Sequence, residues 1–131
     1  MQTNAVSLGF LACVRLVLMT LATISRDELR RKIDDGEGFV LIDALAPMSF
    51  AHSHLPGAIN LPPEWVDERG PGRIPDLQTE IVVYCSSPTC DSSVSVAERL
   101  LELGYRNVRH YAEGKSDWVK AGLPLVGGRE I

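Results

Sequence analysis

Apolar positions along this chain come in two kinds of burst, and the two kinds alternate. Continuous runs at 39–42 and 81–84 have the length and lack of polar interruption expected of short strands buried on both faces. Shorter apolar stretches at 20–24, 58–60 and 108–111 read as three more strands. Between them lie segments with helical signals. Ser25 followed three residues later by Glu28 forms a capping box for a helix over 27–33, closed by Asp35-Gly36. Pro47 opens a brief helix through Phe50, and Pro62-Pro63 lead into a turn of helix at 64–68. Gly70-Pro71-Gly72, with Pro75, predicts a loop. Val94, Ala97, Leu100 and Leu101 mark one face of a helix that ends near Leu103, with Gly104 as its C-cap. A last helix over 115–120 ends at Gly122. Short buried strands alternating with helices predict an α/β domain built on a mostly parallel sheet covered on both faces.

Composition narrows the picture without changing it. The chain has 131 residues, 45% of them hydrophobic, which is enough for one core and no more than one domain. A net charge of −4 with no cluster of Lys and Arg argues against a nucleic-acid footprint and against a polybasic membrane patch. Residues 1–19 read as an apolar N-terminal extension and 20–131 as the domain. Arg15 sits in the middle of the apolar stretch, where a membrane span would not tolerate it well, and Met1-Gln2-Thr3-Asn4 lacks the positive charge that opens a secretory signal. Met19 offers an alternative start. Three cysteines, Cys13, Cys85 and Cys90, form a sparse and odd set, which fits a reducing, cytoplasmic setting better than a disulfide scaffold.

The candidate chemistry lies at the end of the fourth strand. The run 81–84 ends on Cys85, and the small polar stretch Ser86, Ser87, Pro88, Thr89, Cys90, Asp91, Ser92, Ser93 leads into a helix. A thiol there faces a helix N-terminus, whose free N–H groups and dipole favour the thiolate, the nucleophilic form of cysteine. The helix end contributes about 0.3–2 kcal/mol, so loop N–H groups have to add to it. Ser86, Ser87, Thr89, Ser92 and Ser93 leave such groups available, whereas Pro88 removes one. Ligands of parallel sheets sit beyond the C-terminal strand ends, so Asp43, which closes the second strand, opens onto the same edge as Cys85.

Several motifs in order resemble the single-domain rhodanese-like sulfurtransferase family. They are Leu41-Ile42-Asp43, then His54-Leu55-Pro56-Gly57-Ala58-Ile59-Asn60-Leu61-Pro62, Val82-Val83-Tyr84-Cys85, Leu103-Gly104-Tyr105, and Glu113-Gly114-Lys115-Ser116-Asp117-Trp118 before Ala121-Gly122-Leu123-Pro124. The resemblance implies a single rhodanese-like domain with a five-stranded parallel sheet. It also implies a cysteine, here Cys85, that takes up sulfane sulfur as a persulfide and passes it to a thiophilic acceptor. Partners are then a small sulfur donor and a thiol or protein acceptor, and no cofactor or metal is called for. Family loops of six residues commonly carry glycine and a basic residue. This loop is about two residues longer, with Cys90 and Asp91 in that region, and Asp91 would repel an anionic donor such as thiosulfate.

Other residues admit plainer readings. Cys90 reads equally as a thiol that resolves a modified Cys85 into a disulfide or as a small filler at the helix entrance. Asp43 reads as an acceptor for loop N–H groups, His54 as a partner of loop backbone, His110 as structural, and Trp118 as core. Two competing functions share the fold. A phosphatase or arsenate reductase would need an arginine for the oxyanion, and residues 86–93 contain none. A non-catalytic binding or redox-regulatory module is the other alternative, against which an intact Cys85 counts.

Overall fold

The computed structural model describes residues 21–127, so the extension read over 1–19 and Cys13 lie outside the described residues. Five strands, β1 (Ala22–Thr23), β2 (Val40–Asp43), β3 (Ile59–Asn60), β4 (Glu80–Tyr84) and β5 (Asn107–Tyr111), form one sheet in the order β1-β5-β4-β2-β3. Every pairing is parallel, as the alternation of strands and helices predicts. The central strands β2 and β4 are the most apolar because both of their faces are covered, whereas β5 buries only Val108 and Tyr111 among polar residues.

Helix α1 (Arg26–Asp34) starts where the capping box places it, with the Ser25 hydroxyl accepting the Glu28 N–H at 3.1 Å. Ser25→Ala is expected to lower stability by about 1 kcal/mol, read from the midpoint of urea unfolding. Helix α2 (Pro47–His52) runs two residues past Phe50. A 3₁₀ turn (Pro63–Trp65) leads directly into α3 (Val66–Arg73), which corrects the loop expected at Gly70-Pro71-Gly72. The cause is tertiary: Val66, Gly70 and Ile74 are buried against the sheet, and this burial holds the last turn despite Pro71. Helix α4 (Ser92–Glu102) follows the cysteine loop, and α5 (Gly114–Lys120) closes the domain.

Two apolar layers flank the sheet. One face packs Ile42, Ile81, Val83, Cys85 and Val108 against Val66 and Ile74 from α3 and its end, and Val96, Ala97 and Leu100 from α4. The other packs Leu41, Val82, Tyr84 and Tyr111 against Leu29 of α1 and Trp118 of α5. Strand alternation therefore sends Cys85 toward α4 and Tyr84 toward α1 and α5. At the opposite, N-terminal end of β4, Glu80 holds buried Lys32 at 2.8 Å and Arg109 at 3.0 Å, so that edge is tied up in ion pairs. No helix among the described residues is long and apolar enough to cross a membrane.

Candidate functional site

The carbonyl end of β4 and the N-terminal end of α4 meet at the loop 85–91, and α5 backs it from the far side. Lys115 N–H donates to the Cys85 carbonyl and Ser116 N–H to the Ser86 carbonyl, both at 2.8 Å. With those carbonyls held by α5, the loop's own N–H groups are left for the sulfur atoms. Gly114 permits the close approach: its φ is +72°, and a Cβ built there would lie 2.7 Å from the Cys85 carbonyl oxygen. A turn with Cys90 N–H donating to Ser87 C=O at 3.1 Å then folds Cys90 back toward Cys85.

The two thiols consequently share one place. Cys85 is 2% exposed and Cys90 is partly exposed, and neither is in a disulfide. Cys85 Sγ donates to the Cys90 carbonyl oxygen at 3.3 Å and lies 3.2 Å from Ser93 Oγ. The two thiols also stand close enough to shift each other's ionisation. The first turn of α4 serves both sulfurs, with Ser93 N–H directed at Cys85 and Ser92 N–H at Cys90. Asp91, the exposed N-cap, makes no side-chain cap, so it does not compete for those donors.

The charge on the pair differs from the expectation centred on Cys85. Burial pushes the Cys85 thiol up, and contact with Cys90 adds to this; the Ser93 hydroxyl and N–H pull the other way. Burial also opposes ionisation of Cys90. There it is outweighed by the neighbouring Cys85 thiol, the N–H groups of Ser92 and Ser86 and the Ser86 hydroxyl, which bring Cys90 down to about 7. The pair thus loses its first proton near neutrality. The turn that folds Cys90 back is the physical reason, because it brings a second sulfur to donors that would otherwise converge on the first.

Behind Cys85 a third group completes a chain. Ser93, wholly buried, places its Oγ 2.7 Å from His110 Nε2 on β5. Burial holds the His110 imidazole below its ordinary value, so the ring is neutral near pH 7. With the proton on Nε2, His110 donates to Ser93 Oγ and turns the Ser93 hydroxyl proton toward Cys85 Sγ. Sequence reasoning placed His110 as structural. The signal available was parity: Val108 and His110 alternate onto one face of β5, the face that carries Val83 and Cys85 on the neighbouring strand.

The remaining expected site residues fall around this centre. Ser87 and Thr89 bond each other at 3.1 Å through their hydroxyls. Asp43 is fully buried on the Tyr84 side of the sheet: it accepts Leu45 N–H and the Tyr84 hydroxyl, both at 2.8 Å, while Tyr84 Oη accepts Leu55 N–H at 3.0 Å. Burial raises its pKa, and those two donors, with Lys115 and His54, oppose the rise. Asp43 therefore braces loops at the strand ends and does not join the thiols. His54 stacks on Phe50 at 3.8 Å between centroids and bonds the Phe50 carbonyl at 2.8 Å, whereas His52 is exposed beside Ser53. Lys115 Nζ is held by the Ser53 carbonyl at 2.6 Å, and residues 86–93 contain no cation. No three His, Cys, Asp or Glu side chains among the described residues come together to hold a metal.

Comparison with known proteins supplies a family. A family model for the rhodanese-like domain matches residues 25–121. The thiosulfate sulfurtransferase PspE of Escherichia coli is 35% identical over 66% of this chain and 78% of its own length. The HTH-type transcriptional regulator Rv0324 of Mycobacterium tuberculosis is 32% identical over 82% of this chain, which spans only 46% of that longer protein. Among solved structures, the BH2092 protein of Bacillus halodurans superposes with a TM-score of 0.76 at 23% identity, covering 88% of this chain and 84% of that one.

Proposed function

Because the chain belongs to the rhodanese-like domain family, we propose that it is a sulfurtransferase in which sulfane sulfur crosses from a small donor to a thiol acceptor as a persulfide on Cys85. The observation that supports this most is the convergence of donors on the sulfur at the end of β4: Ser93 offers Cys85 both its N–H and its hydroxyl. A thiolate and a persulfide anion are stabilised by the same groups.

The steps follow from the pair. Cys85 gives up its proton, and the Ser93 N–H and hydroxyl hold the negative charge left on its sulfur. That thiolate attacks the sulfane sulfur of the donor. An S–S bond forms, and the bond to the donor's leaving group breaks, with the electron pair departing on that group. An acceptor thiolate then attacks the outer sulfur and carries it away, and Cys85 leaves as thiolate. Since Cys85 is nearly sealed and the Cys90 carbonyl lies against its sulfur, the donor reaches it when the turn that carries Cys90 moves aside. An exposed Asp91 and the lack of a cation in the loop favour donors of low charge over thiosulfate.

The test counts the donor's leaving group. Reduced protein with Cys13→Ser, alone or with Cys85→Ser added, is mixed with thiosulfate, 3-mercaptopyruvate or a small persulfide, and sulfite, pyruvate or thiol is measured. One equivalent per chain is expected with Cys85 present and none with Cys85→Ser. A burst of equal size from the Cys85→Ser protein would overturn the assignment.

A further inference from the structure

A persulfide on Cys85 would not be formed in isolation, because a second cysteine already lies in the same loop with its carbonyl against the atom that would become the inner sulfur. Cys85 Sγ donates to the Cys90 carbonyl at 3.3 Å, the turn closed by Cys90 N–H to Ser87 C=O folds Cys90 back, and the two thiols stand close enough to shift each other's ionisation. We propose that Cys90 resolves the Cys85 persulfide: its sulfur attacks Cys85 Sγ, expels the outer sulfur as hydrosulfide and leaves a Cys85–Cys90 disulfide. The loop thereby acts as its own acceptor. This inference rests on the persulfide reading and adds a second product to it.

The step balances without an outside oxidant. The Cys90 thiolate forms a bond to Cys85 Sγ, the Cys85 persulfide S–S bond breaks, and its electron pair leaves on the hydrosulfide. In this step the outer sulfur is reduced to the sulfide level and the Cys90 sulfur is oxidised to the disulfide level, while Cys85 Sγ, already oxidised on loading, is unchanged. A dithiol reductant then returns the pair to the thiol state for another turn.

Three features of the site favour this route. Attack by a thiol held in the same loop is intramolecular, which favours it strongly over any thiol arriving from solution. Cys90 is anchored beside Cys85 Sγ through its own carbonyl, so the resolving attack falls on the inner sulfur; attack on the outer sulfur would only move the persulfide from one cysteine to the other. Cys90 also has the properties of an efficient attacking thiol, since amides of Ser86 and Ser92 hold its charge near neutral pH and it is partly exposed. Closing the bond asks for side-chain rotation within a turn that already folds Cys90 back on Cys85.

The experiment follows the sulfur after loading. Full-length protein with Cys13→Ser, and the same protein with Cys90→Ser or Cys85→Ser added, is treated briefly with a small persulfide. The leaving thiol is counted, and the protein is desalted without added reductant. Hydrosulfide release is then read alongside intact mass and a peptide map. The expected result is a loading burst both with and without Cys90. After it, the protein that keeps Cys90 releases one equivalent of hydrosulfide and shows the 85–90 disulfide, while the Cys90→Ser protein keeps its added sulfur. If both load and both keep the sulfur, or both shed it at the same rate, resolution by Cys90 is overturned while the persulfide reading survives. Should no protein show a burst, or should the Cys85→Ser protein load as well as the others, the persulfide reading falls and this inference with it.

Discussion

Gly114→Ala is expected to lower stability by about 3 kcal/mol and to cut sulfur loading by more than tenfold. Two independent contributions add. A left-handed φ of +72° costs an L-residue about 1–2 kcal/mol. The added Cβ would also sit 2.7 Å from the Cys85 carbonyl oxygen, 2.9 Å from the Ser86 carbonyl carbon and 2.9 Å from Ser87 N. These neighbours are backbone and cannot rotate away, so an overpacking cost of about 1–3 kcal/mol follows. Relief requires α5 to separate from the loop, which breaks the bonds from Lys115 and Ser116 that hold the Cys85 and Ser86 carbonyls. Loop amides then turn away from the sulfurs. Gly36→Ala is the control: its φ is +68°, nothing lies within 4 Å of the built Cβ, and only the conformational cost applies. Urea unfolding and the loading burst of both variants check the pair. Equal losses at Gly114 and Gly36 would show that the close approach to the loop carries no weight.

Much of this architecture is legible in residue order, because it follows from local chemistry. Ser25 with Glu28 announces the first helix, the apolar runs at 39–42 and 81–84 announce strands with two covered faces, and Cys85 stands where β4 delivers it to a helix N-terminus. The places that resist reading are those where distant packing decides. Gly70-Pro71-Gly72 has every local mark of a loop, yet it forms the last turn of α3 because Val66 and Ile74 on either side are buried. Asp43 and Cys85 end adjacent strands, yet strand parity sends their side chains to opposite faces of the sheet, so sharing an edge does not make them share a site. The role of Cys90 depends on a turn that folds it inward, and nothing in the spacing of the cysteines distinguishes that from an outward side chain. His110 is linked to the thiols only through Ser93, a contact between β5 and α4 that no local pattern encodes.

That contact predicts the shape of a pH profile. Ser93→Ala is expected to slow alkylation and sulfur loading of Cys85 at neutral pH by roughly ten- to hundredfold, since a hydrogen bond to a charged group contributes about 1.5–3 kcal/mol. The direction follows from which form reacts. Only the thiolate is nucleophilic, and the Ser93 hydroxyl favours the thiolate, so its removal raises the pH at which Cys85 ionises. Reactivity therefore falls most near neutrality and recovers toward alkaline pH, moving the rising limb of the profile upward. His110 acts one step further away, as a positioning residue that aims the Ser93 hydroxyl from 2.7 Å. His110→Leu should move the limb in the same direction but less far, because Ser93 keeps its hydroxyl and loses only its orientation. His110→Gln, which restores an N–H donor on a side chain of similar reach, should bring much of the profile back. Iodoacetamide labelling followed by peptide mapping separates Cys85 from Cys90 in each variant across the pH range. A uniform loss of rate at every pH, not rescued by glutamine, would mean that Ser93 and His110 serve only to pack β5 against α4.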